Sequence, residues 1–301
     1  MKRGLPPCEK TKRIAADCGN PLFVISRKYE LFTGTKGMMD TKGIKGDKGQ
    51  VNMKEAIRHI TEIEACGPVQ AFYTTAAWND WQCNEKADLK AYEELGRHFM
   101  ITPSEIVRIP QTHTAEVRKI KKEDGGDGII RKAKEGYDGM ITDEKGILLC
   151  TVEADCVPVY LYDPVKNAIG MVHSGWRGCA GKIAEHAVEG MQNRYGCRPE
   201  DIVAALGPCI CGSCYEVGEE LIDGFAGNFS EITSVIFKPK ENGKYLLDLP
   251  AAIRYSLIRA GLTEGKIFAD PVCTFESGDL CSWRRDHDPA ARMLTGIMLS
   301  E

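Results

Sequence analysis

Residues 147–178 read ILLCTVEADCVPVYLYDPVKNAIGMVHSGWRG, and the fold class follows from this stretch. It holds three β-rich runs of strand length, ILLCTV at 147–152, VPVYLY at 157–162 and AIGMV at 168–172, separated by short polar or turn-forming segments. Glycines 175 and 178 let the backbone turn sharply after the third run and open a helix. The helix expected near 179–194 sets Ile183, Ala187 and Met191 four apart, and Gly196 can supply its left-handed stop. IVAAL at 202–206 then returns to strand, so the pattern is that of an α/β protein.

Upstream, Val69 to Tyr73 reads as a strand, and Leu89, Tyr92, Leu95 and Phe99, spaced three to four apart, read as a helix. Downstream, Asp248 is placed to cap a helix with Pro250 in its first turn and Gly261 ending it. Residues 1–66 are expected to form an N-terminal extension and 67–301 the main domain. Within the extension, GTKGMMDTKGIKGDKG at 34–49 lacks proline and the GK[ST] ending of a phosphate-binding loop, and reads as a mobile loop or lysine-studded hairpin.

The 301 residues carry 39 Lys+Arg against 43 Asp+Glu, a formal net charge of −4, with 43% apolar residues. That is the composition of a soluble globular protein, without the basic footprint of nucleic-acid binding. No stretch approaches the ~18–20 apolar residues of a membrane span. The thirteen cysteines are odd in number and show no recurring spacing, which excludes a secreted disulfide framework and points to a reducing, cytoplasmic setting. Nothing in the chain sets an oligomeric state.

Six histidines, at 59, 98, 113, 173, 186 and 287, bound any imidazole chemistry. His59, His98 and His186 lie in helical contexts where solvated or packed roles are the default. His113 stands in IPQTHTAEV, and His173 ends an apolar strand. Cys156 lies seventeen residues before His173, a gap that fits adjacent strand ends. Two imidazoles and a thiolate make a three-ligand zinc set whose fourth position stays free for water or substrate. By residue type alone the alternatives stand: a Cys between strands is usually a small core hydrophobe, and a lone His is usually hydrogen-bonded.

Asp155 precedes Cys156 and either orients a histidine or bonds backbone at a strand end. Gln111 alternates with His113 and faces a substrate or satisfies a buried amide. Cys209, Cys211 and Cys214 in GPCICGSC look like part of a metal knuckle. No fourth Cys or His follows at a suitable distance, so buried thiols near a Gly-rich turn are expected.

Five segments in order, QTH at 111–113, TVEADCVPVYLYD at 151–163, GMVHSGWRG at 170–178, ALGPCI with CYEVG at 205–218, and CTFESGDLCSWRRDHDPAAR at 273–292, resemble the laccase-domain family of YfiH type over roughly residues 68–299. The resemblance implies a mixed-sheet α/β/β/α sandwich similar to the catalytic domain of cytotoxic necrotizing factor. It implies zinc, with copper the lesser candidate, held by His113, Cys156 and His173. The family's associated activities are phosphorolysis of adenosine, inosine and methylthioadenosine, adenosine deamination, an older copper polyphenol oxidase label and peptidoglycan-precursor editing. Purine nucleoside and phosphate are therefore the implied partners. Cys156, His173, Arg177 and Arg285 are the implied catalytic residues, and Gln111, Asp155 and Arg284 the implied substrate contacts.

One departure stands out: the family's FTTR.GG segment reads FYTTAAWND at 72–80, with Ala76 in the arginine's place. Without the family context, Arg284 and Arg285 would be a solvated ion-pairing couple. Alternatives to the nucleoside enzyme are a hydrolase with Cys156 as nucleophile and His173 as base, a copper oxidase, and a non-catalytic metal-binding protein. Six histidines without an HxH pair poorly supply the many imidazoles of an oxygen-reducing copper cluster.

Overall fold

The computed structural model describes residues 53–81, 89–133 and 136–300. The glycine-rich segment 34–49 lies outside the described residues. In chain order the strands are β1 (Ile57–His59), β2 (Val69–Thr74), β3 (Ile106–Arg108), β4 (Val117–Lys119), β5 (Gly139–Thr142), β6 (Leu148–Glu153) and β7 (Val157–Asp163). They continue with β8 (Ala168–Ser174), β9 (Val203–Leu206), β10 (Glu216–Val217), β11 (Phe237–Pro239), β12 (Tyr245–Leu247), β13 (Ile267–Ala269) and β14 (Met293–Leu299). The helices are α1 (Met53–Ala56), α2 (Thr61–Glu64), α3 (Leu89–Phe99), α4 (Trp176–Ala180), α5 (Ile183–Tyr195), α6 (Glu220–Phe229), α7 (Thr233–Ile236), α8 (Leu249–Arg259) and α9 (Trp283–Asp286).

Two mixed sheets form the centre, one ordered β1-β2-β14-β6-β3 and the other β13-β9-β7-β8-β5-β4. In the first only β3 and β6 run parallel; in the second the parallel pairs are β13/β9 and β4/β5. The sheets face each other across one apolar cluster that includes Tyr73, Leu149, Met293 and Ile297 from the first and Tyr160, Met171 and Val203 from the second. Alternation along β6 explains why its run is apolar on both faces. Leu149 points between the sheets, whereas Leu148 and Cys150 point outward onto Tyr92, Leu95 and Phe99 of α3. Helices α5 and α8 cover the second sheet, giving helix, sheet, sheet and helix layers. Tyr160 spends its buried hydroxyl on the Phe72 carbonyl at 2.7 Å, a hydrogen bond from one sheet to the other.

The punctuation residues act as their chemistry requires. Asp248 accepts from the Ala251 N–H at 3.0 Å at the start of α8, and Gly196 ends α5 at φ 68°. Three readings change. The helix expected from 179 is two helices, because Lys182 enters the left-handed region at φ 64° between α4 and α5. His59 lies on a strand and not a helix, pairing with Phe72. Of the expected N-terminal extension, the described part 53–66 already supplies β1 to the first sheet, so the sheet begins before residue 67.

The link 154–156 carries the chain from β6 in one sheet to β7 in the other. Asp155 makes that crossing at φ 82°. Next to it, β7 begins, β8 ends and β5 begins, with Val157 opposite Ser174, Pro158 opposite His173 and Gly139 opposite Val172. Three strand ends and the β3–β4 loop therefore meet at one edge of the second sheet.

Candidate metal centre

His113 from the β3–β4 loop, Cys156 just before β7 and His173 near the end of β8 bring one ligand atom each within 4.8 Å of one another. The two imidazoles stand edge to face, with centroids 4.8 Å apart at 86°. His173 is buried, Cys156 half-buried and His113 exposed, so the set opens to solvent on the His113 side.

Asp138, the residue before β5, organises this set, and its role was not anticipated from the sequence. Its fully buried carboxylate accepts from the backbone N–H groups of Thr112 (3.2 Å), His113 (3.0 Å) and Thr114 (2.7 Å), and from the Thr114 hydroxyl (3.0 Å). It also accepts from His173 Nδ1 at 2.7 Å. Burial pushes this carboxyl up, but the hydrogen bonds from His173 and Thr114 outweigh it and hold it at about 2. One carboxylate thus fixes the His113 loop, with His113 itself at φ 59°, and leaves His173 Nε2 facing the ligand set.

Glu153, at the end of β6, was also missed. Strand parity aims it between the sheets with Leu149 and Thr151. Thr151 donates to Oε1 at 2.8 Å, while Oε2 is buried without a hydrogen-bond partner, 3.7 Å from His173 Nε2. Burial raises its carboxyl to about 8, with the thiol of Cys156 adding to the rise and His173 opposing it. Burial also pushes the Cys156 thiol up, but His173 and His113 outweigh burial and bring it down to about 6. His173 is held well above the ordinary imidazole value: burial opposes its charge, and Glu153, Cys156 and Asp138 overcome that.

These residues fit a borderline-soft divalent metal. Two imidazoles and an acidic thiol converge, a buried carboxylate fixes one imidazole's tautomer, and an unpartnered carboxylate oxygen faces the same space. Gly175 completes the cradle, since a Cβ there would stand 3.1 Å from both Cys156 Sγ and His113 Cδ2.

The other expected site residues are placed differently from one another. Arg177 is exposed and lies over the Trp176 ring at 4.3 Å, and among the described residues no hydrogen-bond or ion-pair acceptor meets its guanidinium. Arg284 donates to the Glu216 carbonyl at 2.6 Å and lies 5.1 Å from the Tyr215 ring centroid. Half-buried Tyr215 lies within electrostatic reach of Cys156, Arg284, Asp155 and Arg177. Gln111 pairs both ends of its amide with the Val152 backbone at 2.8 Å, in the manner of an extra ladder rung. Asp155 bonds no histidine; it accepts from the Thr274 hydroxyl and the Arg284 N–H, each at 2.6 Å.

Arg285 departs furthest from the phosphate-cradling role implied for it. Its guanidinium donates to the carbonyls of Thr274, Ser277 and Leu280 at 2.7 Å each, and to both oxygens of Asp286. A fork so occupied clamps the 274–280 loop and has little left for a phosphate. Ala76 meets the same loop, giving its N–H to the Asp279 carbonyl at 2.7 Å.

Solved structures share this architecture. A Bacillus licheniformis hypothetical protein, YfiH, superposes with TM-score 0.76 at 30% identity, covering 82% of this chain and 97% of its own. YlmD from Geobacillus stearothermophilus superposes with TM-score 0.71 at 31% identity over 78% and 93%. By sequence, the Geobacillus stearothermophilus protein named purine nucleoside phosphorylase YlmD is 38% identical over 190 residues, 62% of this chain and 69% of that protein. A protein named adenosine deaminase RL5, from an unknown prokaryotic organism, is 34% identical over 212 residues, 69% and 80%. With the family model matching residues 68–300, the chain belongs to the family described as multi-copper polyphenol oxidoreductase laccase.

Proposed function

We propose that the chain is a zinc-dependent purine nucleoside enzyme that cleaves the nucleoside with phosphate and also deaminates adenosine. The observation that carries the reading is the His113, Cys156 and His173 set, held by Asp138, with uncommitted Glu153 beside it. The names of the relatives supply the substrate class. When bound by the three ligands, zinc supplies a Lewis acid with an open coordination position.

The chain's own residues supply the rest. In phosphorolysis the C1′–N9 bond breaks as a phosphate oxygen bonds C1′, and the departing purine takes up a proton. Glu153 is the proton carrier, since burial pushes its carboxyl up to about 8 and its Oε2 has no hydrogen-bond partner. Arg177 is the phosphate holder, because its fork is uncommitted. The Tyr215 ring, beside Cys156 and the two arginines, gives the purine a face to stack on.

A second reading has its own observation. Cys156, His173 and Asp138 also line up as nucleophile, base and orienting carboxylate, and the lowered Cys156 thiol suits an amide hydrolase. Chromatography of adenosine incubated with the purified protein tests the first. Adenine formed only when phosphate is present supports phosphorolysis, and inosine formed with or without phosphate supports deamination. No product under either condition overturns the proposal.

A further inference from the structure

The Gly-rich turn that the sequence leaves with three cysteines and no further ligand has two in space. The chain brings Cys273 and Glu276, some sixty residues away, against Cys211 and Cys214, and one ligand atom from each of the four lies within 4.8 Å of the others. We infer that Cys211, Cys214, Cys273 and Glu276 bind a second metal ion, a structural zinc distinct from the His113, Cys156 and His173 centre.

Several features support it. Cys211-Gly-Ser-Cys214 has the two-residue spacing of structural zinc ligands, and Cys273-Thr-Phe-Glu276 repeats that spacing with a carboxylate. A Zn–S bond of ~2.3 Å implies tetrahedral sulfur separations of about 3.8 Å, so the four donors need only a small contraction. Backbone N–H groups already face the sulfurs. Cys211 N donates to Cys273 Sγ at 3.3 Å, Ser213 N faces Cys211 Sγ, and Glu276 N faces Cys273 Sγ.

The turn is held independently of any metal. The Thr274 N–H donates to the Cys209 carbonyl at 3.0 Å, and a Cβ at Gly212 would meet Asp248 atoms at 2.8 Å. A disulfide would use two of the three thiols and leave both the third and Glu276 without purpose.

The position explains the use. The two loops joined here both grip Asp155: Ile210 N donates to its carbonyl at 3.0 Å, and Thr274 to its carboxylate at 2.6 Å. Asp155 is the residue before Cys156. A metal between the loops therefore staples the crossing that presents Cys156, closing a long chain loop.

Metal analysis of the full-length protein and two variants tests this. His113→Gly removes an exposed ligand of the first centre while suiting its left-handed backbone. Cys211→Ser/Cys273→Ser removes two ligands of the second. The inference predicts that His113→Gly retains one tightly held zinc per chain, and that the double variant has one zinc fewer than the unaltered chain. Failure of the nucleoside-enzyme reading would show differently, as His113→Gly matching the unaltered chain in zinc content.

Cobalt(II) added to zinc-stripped His113→Gly reads the second site with all four donors in place, whether or not the cysteine variant folds. The expected result is thiolate-to-cobalt absorption of three-thiolate strength with tetrahedral visible bands. Absence of those bands, or a disulfide between any two of Cys211, Cys214 and Cys273 in freshly purified protein, overturns the inference.

Discussion

Asp138 and Glu153 are both buried carboxyls beside His173, yet their surroundings drive them in opposite directions. Asp138 collects hydrogen bonds from four residues, which hold its carboxyl low, whereas Glu153 has one donor and an unpartnered oxygen, and burial pushes its carboxyl up. They should therefore fail differently. Asp138→Asn cannot accept from all those N–H groups and loses its hold on the His173 tautomer, so zinc affinity should fall about 10–100-fold in a chelator competition. Unchanged affinity would remove Asp138 from the centre. Glu153→Gln keeps the shape and removes the proton carrier, so it should retain zinc while kcat falls by roughly 10²–10⁴. A variant with full kcat would leave the proton to another group. The pair also marks what the sequence conceals. His113, Cys156 and His173 lie in motifs and can be found by residue type. Asp138 earns its role only through contacts with residues 112–114 and 173, and Glu153 shows only as a charge on the inward parity of a strand.

At the level of elements, the site depends on how tightly short segments approach each other. Gly175 caps α4 at φ −76° and ψ 176°, a conformation open to any residue, so replacing it acts through space alone. In Gly175→Ala the new methyl presses on Cys156 Sγ and His113 Cδ2, and metal affinity should drop while the thermal midpoint stays nearly unchanged. Equal loss of both would mean that the backbone, not the cradle, needs the glycine. The two arginines contrast in the same way. Arg285→Ala strands three carbonyls of the 274–280 loop and should cost at least about 2 kcal/mol in urea denaturation, with KM for phosphate little changed. Arg177→Ala should raise KM for phosphate and leave stability alone, because among the described residues its fork has no acceptor to lose. A reversal of the two outcomes would exchange the roles assigned here.

Across the whole molecule, the two sheets were legible because their strands are buried on both faces and read as plain apolar runs, as in β6, β7 and β8. Their pairing was not, since β14 lies between β2 and β6, partners far apart from it in sequence. The same distance hid Cys273 and Glu276 from Cys211. Within the described residues no helix is long and apolar enough to cross a membrane. What the fold accomplishes is to bring three strand ends and one loop to a single point, and whether Cys156 there is a metal ligand or a nucleophile decides between the two readings of function. The most direct measurement follows adenosine turnover and alkylation of Cys156 in the same protein as isolated, after chelation and after zinc is restored. The metal-centre account predicts that chelation abolishes turnover and speeds alkylation of Cys156, with both reversed by zinc. Full activity in the metal-free protein, with a substrate-derived mass adduct on Cys156, would contradict it.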